Sequence, residues 1–502
     1  MEIRQDAPPK VLPAARIAGG FELQFVLQLF TRDCVPTRSM AIPVCYSGRM
    51  IVMKFGGTSV EDAAAIDRSC GIVAQRVSRK PLVVVSALAG TTNGLLQAAN
   101  LAGDRKLEQA LEIITPLERR HAELLPATAR EFTALRELLR AIDAIGEFSA
   151  RSRDLVAAYG EVLSSRIFTE RLKRHGVNAK HIDARECIIT DDSYGSAHPM
   201  FGIIHDKLQQ HARPYLEAGQ VVVMGGFIGS TPSGITTTLG RGASDYSAAI
   251  AGAALDAEEI QIWTDVDGLM TTDPRIVADA WKVKETSFAE ASELAYFGAK
   301  VLHPATVLPA VEKNIPVYIL NSRKPAGTGT RITQDAIPCR NLIKAIAVKR
   351  GITVVTVSSS RMLMAHGFLR ALFEVFDRHR ASVDMIATSE VSVSLSLDNN
   401  AMLPGIVEDL KKLGDVKIDE NLALLCLVGG NLKYTPGVAA EVFNSIRDIN
   451  VLMVSHGASN INLSFMIDQK DAESAIRKLH AYFFREFDPA VFEPPMVTQA
   501  AL

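Results

Sequence analysis

Short apolar runs that alternate with longer helical stretches constrain the fold of this chain more than any other feature. Five such runs lie at residues 51–53, 82–85, 221–224, 260–263 and 316–319. Strands that are buried on both faces appear in sequence as nearly continuous apolar runs, and they are typical of parallel sheets covered by helices. Residues 50–331 are therefore predicted to form an α/β domain in which helices sandwich a largely parallel sheet.

A helical block is predicted between the second and third of these runs. Residues 105–170 contain little Gly or Pro and many Leu, Ala, Glu and Arg. This composition favours helices over strands. We expect the block to form one wall of a cleft.

The segment ahead of the first run has a different character. Prolines at positions 8, 9, 13, 36 and 43 interrupt residues 1–49, and no sustained apolar period is present there. Its acidic residues argue against a transit peptide, which is usually poor in acids. We expect a dispensable, poorly ordered extension.

The bulk composition argues against several classes of partner. The formal net charge of −2, from 54 basic and 56 acidic residues, gives no electrostatic reason to bind nucleic acid or anionic lipids. No stretch reaches the roughly 18 continuous apolar residues needed to cross a bilayer. The six cysteines are scattered without a C-x-x-C pair, which disfavours a zinc site or a disulfide framework and suits a reducing, cytoplasmic location.

An internal repeat follows the turn-rich segment 324–329. Its first copy consists of a strand at 352–357, Gly367, a helix at 368–379 and a strand at 391–397. Its second copy has the same order at 422–428, Gly437, 438–449 and 461–466. The economical interpretation is two ferredoxin-like βαββαβ modules, at 345–420 and 421–490. Their boundary near Glu420 stays open, because paired modules can exchange strands.

The first chemical motif is Lys54-Phe55-Gly56-Gly57-Thr58-Ser59, directly after the first strand. Its two glycines let a ligand approach the backbone, and the start of the next helix would direct free N–H groups at an anion. Lys54 adds a full positive charge. An ordinary strand-turn-helix junction with a surface lysine explains the same residues, so this motif alone does not decide the matter.

Small hydroxyl residues follow the second strand, in the segment S-A-L-A-G-T-T-N at 86–93. Ligand crevices open at the carboxyl ends of parallel strands, so Ser86 and Thr92 are candidates for substrate binding. Hydroxyls at the start of a helix also serve simply as caps. Both interpretations stay open for this segment.

A third segment, T-T-T-L-G-R-G-A-S-D at 236–245, is rich in glycine and charge. Asp245 stands where a dinucleotide-binding loop would have its third glycine, and no Walker A pattern is present. Arg241 can bind a carboxylate through two parallel hydrogen bonds of its guanidinium, and Asp245 can orient a lysine or a magnesium-bound group. If these charged residues had no function, the loop that carries them would have to be exposed, since burying such charges is costly.

Polar residues also follow the fourth strand, in W-T-D-V-D-G-L at 263–269 and T-T-D-P-R at 271–275. They suit contacts to the ribose and phosphates of a nucleotide. Arg275 is one cationic candidate for such contacts. Lys300, in the later segment G-A-K-V-L-H-P at 298–304, is another.

Taken together and in order, these motifs and Tyr159-Gly160-Glu161 resemble those of the aspartate kinases. The resemblance covers roughly residues 50–484. It is specific, because other amino-acid kinases share only the fold and the general use of lysine and aspartate. The sequence departs from the usual pattern at Tyr159, where a histidine is common, and at Met270, where a tyrosine is common.

The resemblance implies ATP-dependent phosphorylation of the β-carboxylate of L-aspartate, the first step of lysine, threonine and methionine biosynthesis, with Mg²⁺ bridging the β- and γ-phosphate oxygens. The implied catalytic residues are Lys54, Asp245 and Lys300. The implied substrate-binding residues are Ser86, Thr92, Glu161, Arg241 and Ser244. The implied ATP-binding residues are Gly56, Gly57, Thr264, Asp265, Arg275 and Lys300.

The C-terminal repeat resembles a tandem pair of ACT modules. Three of its segments, G-F-L at 367–369, S-V-D at 382–384 and T-S-E at 388–390, are similar to the lysine-sensitive bacterial branch. This resemblance implies L-lysine as the feedback ligand and a homodimer or larger homo-oligomer formed through the ACT modules. The implied allosteric residues are Gly367, Phe368, Leu369, Ser382, Val383, Asp384, Ser389 and Glu390.

Two other functions compete with this expectation. A kinase for glutamate or N-acetylglutamate would form a similar acylphosphate, but the tandem ACT pair and Glu161 as an ammonium partner speak against it. A catalytically dead amino-acid sensor would use the ACT modules to signal to a partner protein. Such a sensor would have no need for all of Lys54, Glu161, Arg241, Asp245 and Lys300.

Overall fold

In a computed structural model of the chain, the described residues are 50–494 with the exception of 241, 298–303, 336 and 363–365. The predicted extension at 1–49 lies outside them, and so do Arg241 and Lys300 of the predicted site. Within the described ranges, no helix is both long enough and apolar enough to cross a membrane.

One central sheet organises the first part of the chain. The described strands up to residue 333 are β1 (Ile51–Phe55), β2 (Pro81–Val85), β3 (Ala179–His181), β4 (Val221–Gly225), β5 (Ile228–Ser230), β6 (Thr236–Thr238), β7 (Glu259–Thr264), β8 (Lys282–Val283), β9 (Glu285–Ser287), β10 (Val317–Asn321) and β11 (Thr330–Thr333). Eight of them pair in the order β3-β4-β2-β1-β7-β10-β11-β9. Every neighbouring pair is parallel except β10 and β11, so the predicted sheet is confirmed.

Helices cover both faces of this sheet. The described helices up to residue 312 are α1 (Ala63–Ala74), α2 (Thr91–Gly103), α3 (Leu107–Leu124), α4 (Ala129–Ile145), α5 (Ala150–Arg174), α6 (Phe201–His211), α7 (Arg213–Glu217), α8 (Ala243–Leu255), α9 (Phe288–Tyr296) and α10 (Leu308–Glu312). Of these, α3 and α4 do not cover the sheet but pack with α2 and α5 in a core of their own. Successive residues of a strand point to opposite faces. Accordingly, Val52 joins a core that includes Ile250 of α8, whereas Met53 joins one that includes Ile66 of α1.

Helix α5 connects the predicted helical block to the sheet. Its first turn is capped by Ser149, whose hydroxyl accepts a hydrogen bond from the Ser152 N–H. Val156 of α5 packs in the core of the helical block, whereas Phe168 packs in a core under the sheet. Much of α5 is therefore buried, although Lys173 and Arg174 near its end are exposed. Asp154 and Glu161 are among its buried polar residues, which need partners in the interior.

A second sheet lies in the C-terminal part of the chain. Its elements are β12 (Ala345–Ser358), α11 (Phe368–Arg378), β13 (Ile386–Thr388), β14 (Ser392–Leu397), α12 (Leu403–Leu410), β15 (Asp415–Val428), α13 (Val438–Ser445), β16 (Val451–His456), β17 (Asn462–Asp468) and α14 (Ala472–Phe483), followed by β18 (Phe492–Glu493). The strand order is β13-β14-β12-β15-β17-β16. This order contains two ferredoxin-like units, as the repeat predicts.

The two units exchange a strand, which corrects the boundaries drawn from the sequence. Residues 353–358 of β12 pair with β14 of the first unit. Residues 345–350 of the same strand pair instead with 423–428 of β15, the first strand of the second unit. Register shifts between 350 and 354 separate the two halves of β12. Residues 345–350, assigned from the sequence to the first module, therefore complete the second one.

The C-terminal sheet is attached to the first part of the chain at several points. Strand β18 pairs with β8, and the Lys282 ammonium lies 2.7 Å from the Glu493 carboxylate. The Ile346 N–H donates to the Thr271 carbonyl at 2.7 Å. The ammonium of Lys344 forms a fully buried ion pair with Glu290 of α9 at 2.8 Å. The C-terminal sheet is therefore in direct contact with α9 and with the loop that carries Thr271.

Candidate active site

A cleft of about 930 Å³ opens at the carboxyl ends of β1, β2 and β4. Crevices at this edge of a parallel sheet are the usual place for ligands in α/β folds. Helix α5 forms one wall, as expected for the predicted helical block. The predicted residues that line the cleft together are Lys54, Gly57, Ser86, Thr92, Glu161, Ser244 and Asp245.

Lys54 and Asp245 form an ion pair in this cleft. The Lys54 ammonium lies 2.7 Å from Asp245 Oδ1, and both side chains are mostly buried. Asp245 lies in the first turn of α8, where the positive end of the helix dipole favours a carboxylate. The ion pair keeps the Lys54 ammonium in the cleft, where it can interact with an anionic ligand.

Glu161 is a buried acid with an incomplete set of partners. One oxygen, Oε1, accepts a hydrogen bond from the Ala87 N–H at 3.2 Å. The other, Oε2, has no hydrogen-bond partner among the described residues. Burial raises the pKa of Glu161 to about 8, although the Ala87 N–H opposes that shift. A ligand cation would both satisfy Oε2 and favour the charged form.

Two glycines allow the walls of the cleft to come close together. A Cβ atom on Gly226 would lie 2.7 Å from the Cβ of Ser244, and a Cβ on Gly160 would lie 2.8 Å from the Cβ of Ala87. Both distances are shorter than real carbon contacts. Glycine at these positions therefore keeps Ser244 and the 86–93 segment near Glu161.

Of the described residues predicted to bind nucleotide, only Gly57 lines this cleft. Thr264 donates a 3.2 Å hydrogen bond to Asp265. Arg275 is exposed and pairs with Asp273 at 2.7 Å. Gly56 lies next to the lining residue Gly57, and its N–H donates to the Trp263 carbonyl at 3.1 Å. The structure thus brings the described substrate residues together with Gly57, whereas Gly56, Thr264, Asp265 and Arg275 lie outside the lining.

Asp154 is a cleft residue that the sequence interpretation missed. Its carboxylate lines the cleft from α5 and accepts three hydrogen bonds, from Gly195 and from the N–H and hydroxyl of Thr238. The available signal was its position seven residues before Glu161, because such a spacing puts two side chains on one helix face. Other missed residues in the lining include Asn93, Arg153, Tyr194 and Phe227.

In the C-terminal sheet, Asp384 is already paired. Its side chain is only 2% exposed, and it lies 2.8 Å from the ammonium of Lys349. The Tyr296 hydroxyl donates to its other oxygen at 2.6 Å. Lys349 also lies 2.8 Å from Asp398. The acid predicted to attract a ligand ammonium is therefore neutralised by a lysine of the same chain.

The other predicted allosteric residues lie around the start of α11 and along the turn before β14. Gly367 takes a left-handed backbone with φ of 87° as the N-cap of α11, and Phe368 and Leu369 form the first turn of that helix. Glu390 is exposed, and the Ser389 hydroxyl lies 2.8 Å from that of Ser392. Ser382 and Val383 immediately precede Asp384 in sequence.

The chain is similar to proteins of known function over most of its length. The profile of the Amino acid kinase family matches residues 49–321, and that of an ACT domain matches residues 425–483. The lysine-sensitive aspartokinase 3 of Escherichia coli is 39% identical over 450 residues, covering 87% of this chain and 99% of that protein. The chloroplastic aspartokinase 2 of Arabidopsis thaliana is 36% identical over 462 residues, covering 87% of this chain and 85% of that protein.

Solved structures agree with these sequence similarities. The crystal structure of E. coli aspartokinase III with lysine and aspartate, described as the T-state, matches with a TM-score of 0.76 at 38% identity, covering 87% of this chain and 99% of that one. The same enzyme with aspartate and ADP, described as the R-state, matches with a TM-score of 0.74 at 38% identity, covering 87% and 100%. The kinase-family match at 49–321 spans every cleft residue named above.

Proposed function

The chain belongs to the aspartokinase family, and from this membership we propose how its cleft carries out the reaction. The family activity is the transfer of phosphate from ATP to the side-chain carboxylate of aspartate, which opens the biosynthesis of lysine, threonine and methionine. A β-carboxylate oxygen attacks the γ-phosphorus while the bond to the bridging oxygen of ADP breaks. The products are ADP and 4-phospho-L-aspartate.

The observation that carries the proposal is the joint presence of Lys54, Asp245 and the half-satisfied Glu161 in one cleft. Phosphoryl transfer depends on positioning and on neutralising charge rather than on a protein nucleophile. Lys54 is held by Asp245 until a phosphoryl group arrives, and it then neutralises charge that develops on the transferred group. Such groups accelerate a reaction because they act most strongly in the transition state.

The aspartate ammonium is proposed to bind Glu161. This supplies the missing partner of Oε2 and keeps the carboxylate ionised despite its burial. Arg241, outside the described residues, is proposed to hold the α-carboxylate with two parallel hydrogen bonds. Ser86, Thr92 and Ser244 line the same cleft and complete the proposed substrate site.

ATP is proposed to contact Gly56, Gly57, Thr264, Asp265 and Arg275, together with Lys300 outside the described residues. Mg²⁺ is proposed to enter with ATP. Among the described residues, three carboxylates line the cleft, those of Asp154, Glu161 and Asp245. Asp154 is hydrogen-bonded to Gly195 and Thr238 and Glu161 is assigned to the substrate ammonium, so Asp245 would be the one to help hold the ion. When bound, the ion offsets negative charge on the phosphate oxygens.

Residues 50–331 are proposed to form the catalytic domain and the C-terminal sheet the regulatory part. L-lysine is proposed as the inhibitor, since the E. coli relative is named lysine-sensitive and its structure contains lysine. The proposed site includes the start of α11, Asp384 and Glu390. A homodimer or larger homo-oligomer through the ACT modules and a cytoplasmic location complete the proposal.

A hydroxamate-trapping assay tests the reaction, because hydroxylamine captures the acylphosphate product. The purified chain is incubated with ATP and Mg²⁺ and with aspartate, glutamate or no amino acid. Hydroxamate with aspartate alone is the expected result. A preference for glutamate would replace the proposed substrate, and no product with any amino acid would favour a sensor without catalytic activity. The Glu161→Gln variant serves as the matched control, since it changes the proposed ammonium site at constant size.

A further inference from the structure

We propose that Asp154 is a positioning residue that fixes the aspartate-binding wall of the cleft without contacting the substrate. The inference rests on the proposed aspartate site. Asp154 lies in the fifth position of α5. Its side chain faces the cleft, yet the residue is only 1% exposed.

Among the described residues, the side chain of Asp154 accepts hydrogen bonds from two segments, here called the two loops: the loop at 191–198, and the end of β6 with the turn that follows it. Oδ2 accepts the Gly195 N–H and the Thr238 N–H, each at 2.9 Å. Oδ1 accepts the Thr238 hydroxyl at 2.8 Å. A carboxylate that takes backbone N–H groups in the interior forms charge-assisted hydrogen bonds, which are stronger than neutral ones. Asp154 thereby ties both loops to α5.

Both loops contribute to the cleft. Thr238 ends β6, and the chain then passes through Gly240 and Gly242, which line the cleft on either side of Arg241 in sequence. The other loop contributes Tyr194 and Gly195. The two loops are also joined to each other, because the Ala197 N–H donates to the Thr238 carbonyl at 2.9 Å. The anchored Thr238 therefore determines where the glycine-arginine segment begins.

The same helix face also carries Glu161. Residues seven apart lie two turns apart on one face of a helix. Asp154 thus fixes the start of the 239–242 segment relative to Glu161. In the proposed site, one end of bound aspartate contacts that segment and the other end contacts Glu161. Helix α5 therefore sets the distance between these two contact points.

Direct contact between Asp154 and the substrate is disfavoured by charge. Aspartate presents two carboxylates, and a free carboxylate in the wall would repel them. The three donated hydrogen bonds occupy both oxygens of Asp154 and direct its charge into the protein. A role in fold stability alone is the competing explanation, and it predicts no selective effect on aspartate.

The test compares Asp154→Ala, Asp154→Asn and Thr238→Val with the unchanged enzyme. The kinetic constants for aspartate and ATP are measured along with the melting temperature. Asp154→Asn keeps an oxygen for the two N–H groups, and the Thr238 hydroxyl can turn to accept from its amide. Glu170→Ala is the matched control. Glu170 is an acid of the same helix that pairs with Lys173 on the surface at 2.7 Å, and it does not line the cleft.

For Asp154→Ala the KM for aspartate should rise roughly 10- to 100-fold, because small misplacements of binding groups have effects of that size. The KM for ATP should change less than about twofold. Thr238→Val should give a smaller rise in the same direction, and Asp154→Asn should recover most of the affinity. Glu170→Ala should leave both constants unchanged.

An unchanged KM for aspartate in Asp154→Ala would overturn the inference, and so would an equal loss for both substrates. If Asp154→Ala does not fold, Thr238→Val decides, since it removes one hydrogen bond and keeps the carboxylate. Failure of the proposed function is recognised separately, because the unchanged enzyme would then give no aspartate hydroxamate.

Discussion

Tyr296 of α9 donates a 2.6 Å hydrogen bond to Asp384 of the regulatory sheet. The ammonium of Lys349 lies 2.8 Å from the same carboxylate and 5.0 Å from the centre of the Tyr296 ring. Burial, and then the neighbouring acid, raise the pKa of Tyr296, so its hydroxyl stays a donor. Tyr296 is the last residue of α9, so this hydrogen bond joins Asp384 to the end of the helix that precedes Lys300 in sequence.

The proposed lysine site depends on this arrangement. An effector ammonium that binds Asp384 has to displace Lys349 or share the carboxylate with it. Asp384→Ala should therefore abolish inhibition by lysine and leave kcat in its absence within about twofold. Lys349→Met should act in the opposite direction and lower the half-inhibitory lysine concentration, since Asp384 then lacks its internal partner.

Inhibition curves from zero to millimolar lysine measure both effects. Arg350→Met is the matched control for Lys349→Met, because Arg350 pairs instead with Glu473 on the surface. Wild-type activity that ignores millimolar lysine would remove the lysine proposal altogether. Identical curves for Lys349→Met and wild type would show that Lys349 does not compete with the effector.

Lys54 should contribute mainly to the chemical step. Lys54→Ala is expected to lower kcat roughly 100-fold or more, because its charge is needed on the transferred phosphoryl group. The KM for aspartate should stay within about threefold. Steady-state kinetics with both substrates check this, with Lys173→Ala as a surface-lysine control. A normal kcat in Lys54→Ala would exclude the proposed role.

Glu161 should make aspartate binding depend on pH. The substrate ammonium requires the ionised carboxylate, and burial raises the pKa of Glu161 in the free enzyme to about 8. The KM for aspartate should therefore fall as pH rises from 6.5 to 8.5. Glu161→Gln should bind aspartate roughly tenfold more weakly and lose that pH dependence. A parallel pH profile in both proteins would contradict the assignment.

The same shift affects stability in a defined direction. The pKa of Glu161 rises from 4.5 to about 8 on folding, so the folded state binds more protons than the unfolded state between these values. The free energy of unfolding contributed by this group is then lost as pH rises through that window. Ligand-free Glu161→Gln should gain melting temperature over wild type as pH increases from 5 to 8.5.

Arg241 should be selective for aspartate. Lysine keeps the positive charge but cannot make two parallel hydrogen bonds to a carboxylate. Arg241→Lys is expected to raise the KM for aspartate roughly tenfold and to leave the KM for ATP unchanged. Equal losses for both substrates, with a lower melting temperature, would indicate a folding defect instead.

The sequence is sufficient to predict those features of the fold that depend on local patterns of residues. The apolar runs at β1 and β2 predict the central sheet, because strands buried on both faces tolerate little else. The joint location of Lys54 and Asp245 in one cleft follows from the resemblance and from strand order. Their 2.7 Å contact needed the folded chain, since no local pattern links residues so far apart.

Features that depend on which distant segments pair with each other could not be predicted from local patterns. The sequence predicts a strand only at 352–357, whereas the structure has one strand over 345–358. The register shifts beside Gly351, with φ of 74°, assign its halves to different units. Asp154 is one of three acids in a long helix, and its role becomes visible only when Thr238 and Gly195 are brought to it. Likewise, the Lys349 ammonium that neutralises Asp384 comes from a strand outside the predicted motif.

Strand β12, which the two ACT units share, affects how the C-terminal part folds and how it can be gained or lost in evolution. Residues 345–350 leave the ribosome well before their partners at 423–428, so this pairing closes only after the whole first unit has been made. Contacts of such long sequence separation form late and slowly. A piece of chain that starts at residue 421 would also lack an edge strand and expose unpaired backbone groups. Recombination could therefore gain, lose or swap this regulatory part only as one inseparable block.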